Sequence, residues 1–170
     1  MKTTLLAMSL LSILGFAAKA DPLAVGAPAP KISAVDQDGK AVNFADVYAK
    51  GVTLVYFYPK ADTPGCTKQG CSLRDSWAPL QAKGIQVLGV SEDKPDAQKK
   101  FRDKFSFPFP LIADHDGKVA KAFEVEMIPV AGLTKRQSFL IKDGKVAWTM
   151  LKASTETHAA DVLNAVEGLK

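Results

Sequence analysis

Cysteine is scarce in this chain, which has only Cys66 and Cys71 among its 170 residues. Their spacing is neither the Cys-x-x-Cys of dithiol redox motifs nor one from which four zinc ligands could be assembled. Histidine is equally rare, since only His115 and His158 occur, and we expect both side chains to be exposed to solvent. The sequence therefore gives no sign of a zinc site.

Arginine and long apolar runs are also scarce. Arg74, Arg102 and Arg136 are the only arginines, and lysine and aspartate are interspersed, so no basic stripe for nucleic acid is predicted. The apolar run from Leu5 to Ala18 is shorter than the roughly 20 residues that a transmembrane helix needs. We therefore expect neither nucleic-acid binding nor membrane anchoring.

Residues 1–20 have the pattern of a secretory signal peptide. Lys2 precedes the apolar run, and Ala18-Lys19-Ala20 ends it with small residues at the positions that precede cleavage. We expect cleavage after Ala20, export to the bacterial periplasm, and one mature domain at residues 21–170. Without Lys2 and Lys19 the formal charge falls from +4 to +2, so the basic excess belongs partly to the leader.

Strand and helix patterns alternate along the mature chain. The predicted elements are a hairpin turning at Asp38-Gly39, a buried strand at Val52–Tyr58, a helix from about Cys66 to Leu80, a buried strand at Ile85–Ser91, a helix at 93–105, a short strand and a short helix, a hairpin turning at Asp143-Gly144, and a final helix capped by Ser154 or Thr155. This order indicates an α/β, thioredoxin-like sandwich, with a central mixed sheet flanked by helices and an N-terminal β-hairpin.

Cys66 lies where the chain passes from the first buried strand into the predicted helix. Pro59 ends the strand, and Thr63-Pro64-Gly65 forms a tight turn, so Cys66 falls in the first turn of the helix. Free backbone N–H groups and the positive end of the helix dipole favour thiolate over thiol there. The position predicts a nucleophilic cysteine.

A structural disulfide is the ordinary expectation for two cysteines in an exported protein. In an intact α-helix the Cα atoms of residues five apart are about 8 to 9 Å apart, whereas a disulfide tolerates at most about 7 Å. Either the segment from Cys66 to Cys71 is not helical, or the bond forms only after the helix unwinds. Gly70 would lower the cost of unwinding by about 1 kcal/mol relative to alanine, and we favour a reversible bond.

The stretch YFYPKADTPGCTKQGC, from Tyr56 to Cys71, resembles the peroxiredoxin family, and in particular its PrxQ class, also called bacterioferritin comigratory protein. Pro59, Thr63 and Cys66 reproduce its Pro-x-x-x-Thr-x-x-Cys signature. The resemblance continues through VLGVSEDKPDAQKKFRDKFSFPFPLIADHDGKVAKAF and RQSFLIKDGKV, and so covers nearly all of the mature chain. Gln69 departs from the pattern, because many relatives carry glutamate there.

The resemblance implies a thiol peroxidase that reduces hydrogen peroxide and organic hydroperoxides without a metal or an organic cofactor. Cys66 would be the peroxidatic cysteine and Cys71 the resolving cysteine, acting within the chain or in a partner subunit. Thr63 would hydrogen-bond the thiolate and the peroxide, Pro59 would shield the sulfur from water, and Arg136 would supply a guanidinium. A thioredoxin-like protein would return the electrons, and the enzyme would be a monomer or a weak homodimer.

Two other functions are known for thioredoxin-like folds. An exported thiol-disulfide oxidoreductase would need Cys-x-x-Cys and, by resemblance to that family, a cis-proline where this chain has Arg136, and both features are missing. A copper-binding chaperone would pair two cysteines one residue closer together with a histidine, which here would have to be His158. High-affinity Cu(I) binding that is lost in His158→Ala would favour the chaperone.

Overall fold

The computed structural model describes residues 22–129 and 131–169, so the predicted signal peptide lies outside the described residues. Along the chain the elements are β1 (Ser33–Asp36), β2 (Ala41–Asn43), α1 (Phe44–Tyr48), β3 (Thr53–Phe57), α2 (Pro64–Asp75), α3 (Trp77–Ala82), β4 (Gln86–Ser91), α4 (Pro95–Phe105), β5 (Leu111–Ala113), α5 (Lys118–Ala122), β6 (Met127–Ile128), β7 (Leu133–Thr134), β8 (Ser138–Lys142), β9 (Lys145–Met150) and α6 (His158–Glu167).

The main sheet has seven strands in the order β2-β1-β5-β4-β3-β8-β9. The inner pairs β3–β4 and β4–β5 are parallel, whereas β1–β2, β1–β5, β3–β8 and β8–β9 are antiparallel. This is the predicted mixed sheet with its N-terminal hairpin, and the predicted fold class is confirmed. In the described part of the chain, no helix is both long enough and apolar enough to cross a membrane.

Strand β3 is buried on both faces, as its unbroken apolar sequence predicts. Successive side chains of a strand point to opposite faces, so Val55 and Phe57 belong to one core and Leu54 and Tyr56 to the other. Helices α1 and α5 contribute to the first core, and α2, α3, α4 and α6 to the second. The carboxyl end of β3 therefore delivers the chain to the layer that contains α2 and α6.

The helix predicted from Cys66 to Leu80 is two helices, so this prediction is wrong in its extent. Helix α2 begins at Pro64, where a proline is well tolerated because the first helical N–H has no intrahelical partner. It ends at Asp75, four residues before Pro79 in α3. Proline has no N–H to donate to the carbonyl four residues earlier, and its ring collides with that carbonyl. The helix is therefore interrupted at Ser76.

The final helix begins later than predicted. Its cap is Thr157 rather than Ser154 or Thr155. Ser154 instead accepts hydrogen bonds from the N–H groups of Glu156 and Thr157, at 3.2 Å each, so it organises the turn that precedes α6. The hairpin β6–β7 and the short helix α1 were not predicted.

Candidate active site

The loop between β3 and α2 is held at several points. The N–H of Ala61 donates to Oδ2 of Asp93 at 2.7 Å, which ties the loop to the end of β4. Asp62 has a φ of 57°, a left-handed conformation that aspartate tolerates better than most residues. Its carboxylate forms an ion pair with Nζ of Lys104 at 2.8 Å. These contacts fix the position at which α2 begins.

Cys66 lies in the first turn of α2, as the sequence predicts, although the helix begins at Pro64, within the stretch predicted as a tight turn. The N–H of Thr67 donates to the carbonyl of Thr63 at 2.9 Å, so the amides of Gly65 and Cys66 precede the helix's regular hydrogen bonds. The side chain of Cys66 is nearly sealed from solvent, with 2% of the residue exposed. The first turn of α2 thus combines free backbone donors with a sulfur that is nearly sealed from solvent.

Arg136 reaches this sulfur from the segment that precedes β8. Its Nη1 lies 3.5 Å from Sγ of Cys66 and donates to Oε1 of Gln69 at 2.7 Å. A Cβ atom at Gly65 would lie 3.1 Å from Nη2 of Arg136, so the missing side chain at this position leaves room for the guanidinium. The structure therefore brings together two of the predicted site residues, 70 positions apart in sequence.

Pro59 and Thr63 lie on the same loop. Pro59 follows β3 and is half-buried. The hydroxyl of Thr63 donates to the carbonyl of Lys60 at 3.0 Å, and the hydrogen bonds of the described residues do not join it to Cys66. Because the hydroxyl proton is already engaged, Thr63 has only acceptor capacity left for a ligand. The shielding role of Pro59 and the substrate-binding role of Thr63 stay predictions.

A row of buried, hydrogen-bonded polar side chains continues inward from Arg136, and the sequence analysis did not predict it. Nε2 of Gln69 lies 3.2 Å from Nδ1 of His158, and Nε2 of His158 lies 2.9 Å from Oγ of Ser138. Gln69, His158 and Ser138 are each fully buried. The prediction that His158 is exposed is therefore wrong, whereas His115 is exposed as expected. The signal was available, since His158 lies four residues before the buried Val162 on one face of α6.

His158 is neutral at physiological pH. Burial, and secondarily the positive charge of Arg136, lower the pKa of His158 from 6.5 to about 4. The ring of Tyr56 meets the imidazole edge-on, with centroids 5.6 Å apart. Burial raises the pKa of Tyr56 well above its ordinary value, and its hydroxyl has no hydrogen-bond partner among the described residues.

Cys71 lies further along α2 and is half-buried, and neither cysteine is in a disulfide. Because α2 is unbroken from Pro64 to Asp75, the segment is helical, and the two Cα atoms are too far apart, at about 8 to 9 Å, for a disulfide. Of the two alternatives that the spacing leaves open, only a bond that forms after local unwinding is compatible with this helix.

An aromatic ring packs against α2 next to Cys71. A Cβ atom at Gly70 would lie 2.5 Å from Cζ of Phe107, so glycine lets this ring sit against the helix backbone. Phe107 stacks on Phe105 and on Phe109, with centroids 5.9 and 5.5 Å apart. This aromatic cluster, defined by Phe101, Phe105, Phe107 and Phe109, holds the second turn of α2 by apolar contact.

The copper-chaperone interpretation required His158 as a ligand. Both ring nitrogens of His158 are instead within hydrogen-bond distance of Gln69 and Ser138. In residues 22–129 and 131–169, no group of three or more His, Cys, Asp or Glu side chains is placed to hold a metal ion. The geometry around Cys66 therefore favours chemistry at sulfur over metal binding.

Comparisons with known proteins agree with this geometry. The model of the AhpC/TSA family matches residues 25–149. Peroxiredoxin Bcp of Escherichia coli K12 is 43% identical over 150 residues, an alignment that covers 85% of this chain and 96% of the relative. The crystal structure of peroxidoxin BcpB from Mycobacterium tuberculosis superimposes with a TM-score of 0.81, at 30% identity, over 87% of this chain and 99% of the other.

A third similar protein is the bacterioferritin comigratory protein of Xanthomonas campestris, solved as trapped intermediate and ligand complexes in work on its alkyl peroxide reduction activity. It aligns with a TM-score of 0.78 and 26% identity over 86% of this chain and all of the other. These matches favour the peroxidase over both rival functions. The chain therefore belongs to the AhpC/TSA family, and within it to the Bcp/PrxQ peroxiredoxins, which are thiol-dependent peroxidases.

Proposed function

We propose that the thiolate of Cys66 attacks one oxygen of a hydroperoxide bound against Arg136. The sulfur–oxygen bond forms as the oxygen–oxygen bond breaks, so Cys66 becomes a sulfenic acid and the departing alkoxide or hydroxide takes up a proton to leave as alcohol or water. The observation that carries the proposal is the 3.5 Å contact between Nη1 of Arg136 and Sγ of Cys66 at the start of α2.

The surroundings of Cys66 fit the charge that develops in this step. Negative charge moves from the sulfur to the departing oxygen, and fixed donors aimed at both positions lower the barrier. Arg136 has several N–H donors in one plane, and the amides of the first turn of α2 add backbone donors. Thr63 can accept a hydrogen bond from the O–H of the peroxide, because its own proton is donated to Lys60.

Cys71 completes the proposed cycle. Its thiol condenses with the sulfenic acid of Cys66, which releases water and forms an intrachain disulfide. This step requires the helix between the two residues to unwind, and both lie on the same helix, so one chain is sufficient. A dithiol protein of the thioredoxin kind then reduces the disulfide, and it becomes oxidised in exchange.

We also propose that alkyl hydroperoxides are substrates alongside hydrogen peroxide. Support comes from the described activity of the Xanthomonas campestris relative. Steady-state rates with hydrogen peroxide, a short alkyl hydroperoxide and a fatty-acid hydroperoxide would rank the three. Rates for both organic substrates below a tenth of that for hydrogen peroxide would contradict this part of the proposal.

Export is a separate proposal. The family match begins at residue 25, after the predicted leader, and residues 1–20 carry the export pattern. The intact mass of the full chain expressed in a Gram-negative host, measured in the periplasmic fraction, should correspond to a chain that begins at Asp21. Uncleaved protein that remains in the cytoplasm would contradict the proposal.

The cysteine roles are tested by peroxide consumption with a thioredoxin as reductant. We expect Cys66→Ser to be inactive, and Cys71→Ser to reduce one equivalent of peroxide and accumulate a sulfenic acid that dimedone traps. The matched pair differs only in which sulfur is removed. If Cys66→Ser retains most of the activity, the assignment of the nucleophile is wrong.

A further inference from the structure

We propose that His158 is a positioning residue for the peroxidase reaction. By accepting a hydrogen bond at Nδ1, it holds the Gln69 amide with its oxygen toward Arg136, and so keeps the guanidinium beside Cys66. The inference rests on the proposed role of Arg136 and extends it to the first residue of α6, which lies 89 positions from Gln69 in sequence.

The hydrogen bonds from Arg136 to Gln69 and from Gln69 to His158 each have one allowed direction. Arginine has only donors, so the atom of Gln69 that lies 2.7 Å from Nη1 of Arg136 must be its oxygen. The amide nitrogen of Gln69 is therefore the atom that faces His158, at 3.2 Å. Because that nitrogen is a donor, Nδ1 of His158 must carry a lone pair.

The far side of the imidazole is compatible with the same tautomer. A neutral histidine that accepts at Nδ1 carries its proton on Nε2, and Nε2 lies 2.9 Å from Oγ of Ser138, which can accept it. Gln69, His158 and Ser138 are fully buried, so water cannot replace a lost partner without entering the core. The orientation of Gln69 is thus determined by His158 and not by solvent.

A side-chain amide needs such a neighbour. The two ends of the Gln69 amide are opposite in hydrogen-bond character but nearly identical in shape. If the amide turned over, its NH₂ group would face Arg136, and two donors would confront each other. A carboxylate at this position would present an oxygen to Arg136 in either orientation, so it would not depend on His158.

Two amide substitutions separate the two ring nitrogens of His158. In His158→Asn, the side-chain oxygen can take the place of Nδ1 and still accept from Gln69. In His158→Gln, the longer side chain brings its amide to the place of Nε2 near Ser138 and leaves Gln69 without an acceptor. The proposal predicts that Asn preserves the reaction and that Gln impairs it.

The measurement is the second-order rate constant for oxidation of Cys66 by hydrogen peroxide, followed by stopped flow in the Cys71→Ser background so that only the first step is observed. We expect His158→Gln to lower it about tenfold, the effect of losing one hydrogen bond that orients a charged group, and His158→Asn to stay within about threefold of the parent. His115→Gln, on the exposed histidine, is the control and should change nothing.

A second experiment tests the mechanism by rescue. Adding Gln69→Glu to His158→Gln should recover most of the lost rate, because a carboxylate faces Arg136 with oxygen whatever its neighbour. Nitrogen NMR of the parent imidazole should show a proton on Nε2 and none on Nδ1. Thermal unfolding identifies a variant that fails to fold, in which case the NMR result alone decides.

Several outcomes would overturn the inference. Equal rates for His158→Asn and His158→Gln, absence of rescue by Gln69→Glu, or a proton on Nδ1 in the parent would each show that His158 does not orient Gln69. These results are distinguishable from failure of the proposed function. If the proposed function itself fails, the parent protein would not react with peroxide, or Arg136→Leu would react as fast as the parent.

Discussion

Cys66 and Cys71 lie on the same helix, but different kinds of contact hold the two turns that carry them. The turn of Cys66 is fixed by directional hydrogen bonds from Arg136 through Gln69 to His158. The turn of Cys71 combines hydrogen bonds between Ser72 and the α6 region with an apolar contact, the ring of Phe107 against Gly70. Directional bonds keep reacting atoms at set distances, whereas apolar contacts set how readily a segment opens. In the proposed cycle, the contacts of the Cys66 turn serve the first chemical step and those of the Cys71 turn serve the second.

The largest effect should come from removing the charge beside Cys66. Arg136→Leu is expected to slow the reaction of Cys66 with peroxide by about 10² to 10³, the usual cost of losing a donor aimed at developing charge. Stopped-flow oxidation measures this directly. Arg102→Leu, which removes an arginine that pairs with Asp38 and Asp103 on the surface, is the matched control. A loss of similar size in both variants would mean that net charge, not the position of Arg136, matters.

The hydrogen-bonded set of Arg136, Gln69 and His158 should also respond to acid. The folded pKa of His158 is about 4, below its ordinary value of 6.5, so between these values the unfolded chain binds a proton that the native protein does not. Its contribution to stability is complete above pH 6.5 and is lost as the pH falls to about 4, and it amounts to about 3 kcal/mol.

Urea unfolding of wild type and His158→Asn across this range isolates the contribution of His158, because the variant lacks the titrating group. As the pH falls from 6.5 to about 4, the free energy of unfolding of wild type should fall by about 3 kcal/mol more than that of His158→Asn. His115→Asn should follow wild type throughout. Parallel curves for wild type and His158→Asn would show that the native imidazole is not held neutral.

The smallest expected effect concerns the aromatic cluster. Phe107→Leu should speed the condensation of Cys71 with the Cys66 sulfenic acid by about tenfold, which corresponds to about 1.4 kcal/mol less resistance to opening of α2, and should leave the oxidation of Cys66 unchanged. Mass spectrometry of samples quenched after one equivalent of peroxide measures both steps. Phe44→Leu, buried in the other core, is the matched control. If Phe107→Leu slows Cys66 oxidation instead, the two turns are not independent.

The structural features that depend on short sequence patterns were mostly predictable from the sequence. The buried strand β3, the two hairpins and the position of Cys66 in the first turn of α2 follow from apolar runs, turn residues and a proline at the helix start. Arg136 was identified through resemblance to a family, because nothing in its neighbouring residues indicates contact with a sulfur 70 positions away.

Two further features involve contacts between segments that are distant in the sequence. The burial of His158 comes from the packing of α6 on α2, where the N–H of Ala159 donates to Oγ of Ser72 at 3.2 Å. The fit of Phe107 against Gly70 likewise joins two distant segments. The interruption at Ser76 is different, because the position of Pro79 in the sequence was sufficient to predict it.

In the proposed cycle, that interruption bears on how much of the protein is disturbed in each turnover. Ser76 still bonds to Ser72 in α2 and to Leu80 in α3, but Pro79 has no N–H to continue the ladder to Asp75. Unwinding of the cysteine segment can therefore end near Ser76, and the seven-stranded sheet can keep its structure. The protein can then alternate between reduced and oxidised forms many times while it exposes little apolar surface to proteases or to aggregation.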